Sequence, residues 1–285
     1  MSLRVSVLGL GLMGRPMARV LLAKGFRVRG WNRSALPPEL TQGIPLASFD
    51  GAARSEVLLL MLSDSSAVEA VLAGLEPHLR PGQTVLDMGS SDPARSKVHA
   101  ERLWAKGIGW VDAPVSGGPE GAEAGTLAIM AGGSPPDYER VRPLLEALGR
   151  PTHVGGAGSG HTLKVINQLV VGLYIEAVAE ALALAEGVGI DPRKVQGALR
   201  GGFADSKVLQ IHGTRMIERR FVPGAKVRTQ LKDLRLADRL AQESGLELPH
   251  LQSALKRYAR LVEAGHGDLD HSALFKLIRE GKADG

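Results

Sequence analysis

The sequence predicts an α/β domain built as a doubly wound parallel sheet, followed by an all-α domain, and three observations predict it. Strand-like apolar runs alternate with helical patterns through the first half of the chain. A glycine-rich turn separates the first strand from the first helix. After Val154 no further strand-like run appears, and a long apolar stretch opens a purely helical remainder.

The first strand is residues 5–8. Gly9, Gly11 and Gly14 follow it, and a helical pattern runs over 13–24. Residues 26–31 read as the second strand and close a βαβ unit of about 30 residues. Further strands are expected at 56–62, 84–87, 110–112, 127–131 and 152–154, with helices at 66–75, 93–106 and 136–148 between them. The stretch 161–186 is helical in pattern and apolar around nearly its whole circumference, so it calls for burial on every side, between domains or at a subunit interface. Asp191 and Pro192 form an N-cap and N1 pair for the next helix, and helical patterns continue to Arg279. The glycine cluster Gly155, Gly156, Gly158 and Gly160 marks the boundary, dividing the chain into 1–160 and 161–285. Two domains suit a chain of 285 residues.

Composition narrows the function. Hydrophobic residues make up 44% and charged residues 23%, as in a soluble globular protein. The absence of cysteine removes disulfides, thiolate nucleophiles and cysteine metal sites, and the eight histidines show no i, i+4 pair beside a carboxylate, so no metal site is expected. The net charge of +5 is interleaved with acids, as at Arg215, Glu218, Arg219 and Arg220, and aromatics are only 4%, which argues against nucleic acid. Apolar runs such as 57–62 are too short to cross a bilayer and the start lacks a secretory leader, so no membrane partner and a cytoplasmic location are expected. A modest positive field suits an anionic cofactor and an acid substrate.

Three glycines at this spacing have a defined use between a strand and a helix: a tight turn, close approach of backbone to a pyrophosphate, and close helix-on-strand packing. The helix N-terminus then offers N–H groups to the anion. The first domain is therefore read as a Rossmann domain binding a dinucleotide. At the end of the second strand, where an acidic residue would hold the ribose of NAD, stand Asn32, Arg33 and Ser34. A guanidinium grips a 2′-phosphate that a carboxylate would repel, so NADP is expected over NAD, with NAD still compatible with the turn.

Four segments then line up: Gly9-Leu10-Gly11-Leu12-Met13-Gly14-Arg15-Pro16-Met17-Ala18, Asp112-Ala113-Pro114-Val115-Ser116-Gly117-Gly118, Gly158-Ser159-Gly160 with Lys164 and Asn167, and Lys232-Asp233-Leu234. Together they resemble the signatures of the β-hydroxyacid dehydrogenases over nearly the whole chain, and within them the 3-hydroxyisobutyrate dehydrogenase branch. The resemblance implies interconversion of a short β-hydroxy acid, 3-hydroxyisobutyrate favoured, and its semialdehyde. It makes Lys164 the general acid/base, and a lysine at the start of an apolar helix has its charged form disfavoured by burial. It assigns Ser116, Gly117 and Gly118 to the substrate carboxylate, and Asn167, Gln168 and Asp233 to the substrate side, with the choice between Asn167 and Gln168 open. It assigns Leu12, Met13 and Ser90 to the cofactor, and Lys232 to the nicotinamide side of the cofactor or to the substrate. Met61 and Leu62 are read as lining the cofactor cleft, or as plain packing.

Alternatives within the family are reduction of tartronate semialdehyde, succinate semialdehyde or glyoxylate, since a single pocket change discriminates such substrates. Phe203, Ser206 and Leu209 are candidates for that choice. A non-catalytic NADP-binding sensor is the alternative from another class. The apolar helix suggests a homodimer or homotetramer.

Overall fold

The structure is a computed structural model and describes residues 3–280. The chain divides into two compact units, Met1–Lys164 and Val165–Gly285.

The first unit carries eight strands: β1 (Arg4–Leu8), β2 (Arg27–Trp31), β3 (Val57–Leu60), β4 (Thr84–Asp87), β5 (Gly109–Asp112), β6 (Val115–Ser116), β7 (Leu127–Gly133) and β8 (Gly149–Gly155). Their order in the sheet is β2-β1-β3-β4-β5-β7-β6, with β8 pairing β7. Strands β1 to β5 are mutually parallel, as the alternation with helices predicts. Side chains along these strands feed two cores. Val5, Val7, Val57, Leu59, Leu86 and Val111 join one cluster, and Leu8, Leu58, Leu60, Val85 and Trp110 join another. Alternate residues point to opposite faces, so both faces are covered, and continuous apolar runs are what such strands require.

The far end of the sheet departs from a parallel arrangement. β7 runs antiparallel to β5 and β6, and parallel to β8. The link from β6 to β7 holds only the short helix Gly118–Ala124, whereas a parallel return needs a crossover of about a dozen residues or more. The sequence reading passed over β6, this helix and the short helices Pro38–Thr41 and Phe49–Ala52.

β1 connects to β2 on one side, and β3 lies on its other side. Ligands of open α/β sheets bind beyond the carboxyl ends of the strands at such a switch point. The glycine turn follows β1 at that place.

A single helix, Ser159–Gly187, crosses the division between the units. In the second unit its Val165, Ile175, Val178, Ala179 and Leu182 enter a core shared with the helices Val227–Glu243 and Pro249–Glu263. Within the single chain the helix is not buried on every side: Ile166, Val170, Tyr174 and Leu184 stand exposed. The helix departs from the expectation that the apolar runs are too short to cross a bilayer: its 29 residues, with a mean hydropathy of 1.6 over an 18-residue stretch, are long and apolar enough by length and composition. The same properties belong to a core helix, and one face of this helix is in a core. The next helix, Pro192–Leu199, begins as expected, with the Asp191 carboxylate accepting from Arg193 N–H.

Candidate functional site

The site is built from the ends of the sheet strands. Gly9 has φ +102° and its carbonyl sits where a Cβ on Gly14 would fall, while a Cβ on Gly9 itself would strike the carbonyl of Met61. Two of the three glycines are thus dictated by packing. Gly11 is exposed, and a Cβ there would meet no protein atom within 4 Å. Its lack of a side chain keeps the outer face of the turn open to a ligand. The helix that follows, Gly14–Ala23, has no side-chain cap and no acidic residue in its first turn, so no side chain of its own offsets its N-terminal dipole. These features fit the pyrophosphate of a dinucleotide.

Beside the turn, Asn32 Oδ1 accepts from Leu10 N–H at 3.0 Å and its Nδ2 donates to Ser34 C=O at 2.8 Å. Asn32 therefore ties the end of β2 to the glycine turn. A cavity of about 180 Å³ lies here, lined by residues that include Leu10, Trp31, Asn32, Ser34 and Thr41. Arg33 is exposed between two of its lining residues, Asn32 and Ser34. The adenosine half of a dinucleotide fits this chemistry. Met61 and Leu62 are half-buried and back the turn at Gly9. Leu12 is exposed, Met13 half-buried. Ser90 is half-buried beyond β4, next to Gly89, where a Cβ would lie 2.7 Å from the Leu62 carbonyl.

Ser116, at the end of β6, is half-buried and leads through Gly117 (φ 137°) and Gly118 (φ 66°) into the helix Gly118–Ala124. No side chain caps that helix either. A hydroxyl beside an uncapped helix start is a chemically competent receptor for a carboxylate.

Sequence reasoning missed the anchor of the long helix. Asp112, at the end of β5 and fully buried, accepts from Gly158 N–H at 2.7 Å and from His161 N–H at 2.9 Å. Burial pushes its carboxyl above the usual aspartate range, opposed by His161 and by the two N–H donors. His161, also fully buried, places Nδ1 2.6 Å from Ser96 Oγ and Nε2 3.2 Å from Gly89 C=O. A carbonyl only accepts, so Nε2 carries the hydrogen. Gly160 is pressed against the carbonyl of Asp112, leaving no room for a Cβ. The turn that begins Lys164's helix is thereby bolted to the ends of β4 and β5. An acid at the end of a wholly apolar strand, with a glycine cluster downstream, was the available signal. Lys164 itself is half-buried, one turn beyond His161.

In the second unit the remaining candidates converge. Asn167 Nδ2 donates to Gln168 Oε1 at 2.9 Å, Gln168 Nε2 donates to Asp233 Oδ2 at 3.2 Å, and Asp233 Oδ1 lies 3.3 Å from Lys232 Nζ. Asp233 is only 2% exposed, and its carboxylate meets both Gln168 and Lys232. Phe203, Ser206 and Leu209 gather elsewhere in this unit, around a cavity of about 250 Å³ that Tyr174 also lines.

A glycine turn at a switch point, an uncapped helix start, a cavity at the end of β2 and a lysine on an anchored helix are the parts an NAD(P)-dependent oxidoreductase needs. Residues 4–158 match the family model described as the NAD binding domain of 6-phosphogluconate dehydrogenase, and residues 158–278 match that for the NAD-binding region of NADP-dependent 3-hydroxyisobutyrate dehydrogenase. The chain belongs to the β-hydroxyacid dehydrogenase family. It is 40% identical to a 2-hydroxy-3-oxopropionate reductase of Escherichia coli strain K12, over 97% of each chain. Among solved structures it resembles a 3-hydroxyisobutyrate dehydrogenase of Salmonella typhimurium, with 28% identity, TM-score 0.89 and coverage of 97% of this chain and 100% of that one. It also resembles Psf3 in complex with NADP+ and 2-OPP, with 26% identity, TM-score 0.87 and coverage of 96% and 99%.

Proposed function

We propose that the enzyme reduces the aldehyde of a three- or four-carbon semialdehyde acid to the primary alcohol, reversibly and with NADP(H), and that 2-hydroxy-3-oxopropionate is its substrate. The bound nicotinamide supplies or accepts the hydride. Lys164 gives a proton to the carbonyl oxygen during reduction and takes the hydroxyl proton during oxidation. Ser116 and the backbone N–H groups of Gly117 and Gly118 hold the substrate carboxylate, and so fix the distance from the acid to the reacting carbon. Asn167 lies three residues beyond Lys164 on one helix and so shares its face. Its Nδ2 is committed to Gln168, which leaves Oδ1 to orient a hydroxyl of the substrate. Gln168 and Asp233 serve from behind, and Lys232, held by Asp233, binds the anionic ligand.

The observation that carries this reading is the Lys164–Asn167 pair on a helix whose start is clamped by Asp112. The substrate follows the relative with 40% identity. The likeness to a 3-hydroxyisobutyrate dehydrogenase structure supports 3-hydroxyisobutyrate as the second reading. NADP is favoured because Asn32, Arg33 and Ser34 put no carboxylate where a 2′-phosphate would sit. Residues 1–160 then hold the cofactor, and residues 161–285 serve substrate recognition and self-association. The exposed Ile166, Val170 and Tyr174 follow one another every four residues, and Leu184 falls about five turns after Ile166, so all four lie on one stripe of the long helix, the surface we assign to a homodimer or homotetramer.

The test is a kinetic panel on purified enzyme: NADPH oxidation with 2-hydroxy-3-oxopropionate, succinate semialdehyde and glyoxylate, and NADP reduction with 3-hydroxyisobutyrate, L-serine and D-glycerate. A specificity constant highest for 2-hydroxy-3-oxopropionate is expected. Higher values with 3-hydroxyisobutyrate move the assignment to the second reading. NADP binding without turnover on any of these compounds overturns both and leaves a non-catalytic binder.

A further inference from the structure

We propose that Gln230 is a positioning residue for this reaction: it sets the amide of Gln168 and, through it, Asn167, Asp233 and Lys232. The inference rests on the reading above that Asn167 and Lys232 face substrate or cofactor. Gln230 lies one turn into the helix Val227–Glu243 and is 1% exposed. Its Nε2 donates to the backbone carbonyl of Gln168 at 2.8 Å. That carbonyl belongs to a residue inside a long helix, where the amide four residues on already supplies a hydrogen bond. The bond from Gln230 is therefore not needed to satisfy the backbone, and its consequence is orientation.

With Nε2 placed, the other end of the Gln230 amide must be its acceptor. Oε1 takes a bond from Gln168 Nε2 at 3.2 Å and faces His271 Nδ1 at 3.4 Å. His271 is in turn held by His212, Nε2 to Nε2 at 3.3 Å. The two glutamines thus lock each other, backbone to side chain and side chain to side chain. The lock decides which way the Gln168 amide points: Nε2 toward Asp233 Oδ2, Oε1 toward Asn167 Nδ2. A flipped Gln168 amide would set its oxygen against the Asp233 carboxylate and its NH₂ against the Asn167 NH₂, two repulsive contacts in a poorly solvated place. Asp233 would then lose the Gln168 donor while it pairs with Lys232. The approach of the long helix is close enough that a Cβ on Gly172 would stand 2.8 Å from Gln230 Nε2, so the amide has little room to relax.

The experiment uses the full-length enzyme, its best substrate from the panel, and the variants Gln230→Leu, Gln230→Glu, Lys232→Met, Asn167→Ala and the double variant Gln230→Leu/Lys232→Met. Active sites are counted by cofactor titration, so that kcat is per folded site. Gln230→Leu is expected to lower kcat about tenfold while the KM for NADP(H) stays within about twofold. Gln230→Glu keeps an acceptor for Gln168 Nε2 and His271 but turns the donor to the Gln168 carbonyl into an oxygen, so it should lower kcat as well, and it covers the case in which the leucine variant does not fold. In the Lys232→Met background, Gln230→Leu should have less than half its usual effect on log kcat, because it acts through that lysine. A kcat per folded site equal to wild type in both Gln230 variants overturns the proposal, as does full multiplicativity in the double variant. If Lys232→Met and Asn167→Ala both leave the kinetics unchanged, the functional reading itself fails and the proposal falls with it.

Discussion

Asp112 offers the sharpest test of how Lys164 is held. Its two carboxylate oxygens accept separate N–H groups, from Gly158 at 2.7 Å and His161 at 2.9 Å, and the side chain has no access to solvent. Replacing it with asparagine keeps one acceptor and turns the other into an NH₂ that faces an N–H donor. One buried bond is lost, at about 1–3 kcal/mol; alanine loses both, at about 2–6 kcal/mol. For a unit of this size each kcal/mol shifts Tm by roughly 2–4 °C. Asp112→Asn should thus unfold several degrees below wild type, and Asp112→Ala about twice as far below, measured by circular dichroism at neutral pH. The sign of the pH dependence follows from the raised pKa. The folded state keeps a proton that the unfolded chain releases, so this group's contribution falls as pH rises from the ordinary aspartate value to the folded one. Asp112→Asn should flatten that part of the stability curve. Equal Tm values for the asparagine and alanine variants, or no change from wild type, would refute the two-bond account.

Other expectations are independent of this one. Lys164→Ala should reduce turnover by orders of magnitude and leave NADP(H) affinity, read by fluorescence titration, nearly unchanged; retained turnover would exclude Lys164 as the proton carrier. Arg33→Asp should raise the KM for NADP more than tenfold and that for NAD much less, whereas equal effects would remove the arginine from 2′-phosphate recognition. Burial pushes the Asp270 carboxyl up, but His212, His271 and Ser272 outweigh it and hold it well below the usual range. Its stabilisation is present above the unfolded aspartate value and lost as pH falls, so Asp270→Asn should lower Tm at pH 7 more than at pH 3. Val170→Asp, on the exposed stripe of the long helix, should reduce the mass seen in sedimentation; an unchanged mass would relocate the subunit contact.

The glycine turn, the strand–helix alternation and the helical second half were legible because each is local. A βαβ unit closes within about 30 residues, so its demands fall on neighbouring positions, and the N-cap at Asp191 is decided within one turn. The spacing of Lys164 and Asn167 on one face was legible for the same reason, since one helix sets it. The reversal of β7 was not, because it depends on how the chain turns after β5 and not on any pattern within β7, whose apolar residues suit either direction. The anchor and the locks were hidden by distance. Asp112 meets Gly158 and His161 across 46 and 49 residues, and Gln230 meets Gln168 across 62. A buried aspartate reads in sequence like a strand end, and a buried glutamine like an exposed position on an amphipathic helix. Local pattern was enough for the fold class, the cofactor turn and the candidate proton carrier. The polar groups that hold them in place emerge only from the folded chain, because a hydrogen bond between distant residues leaves no periodicity to read.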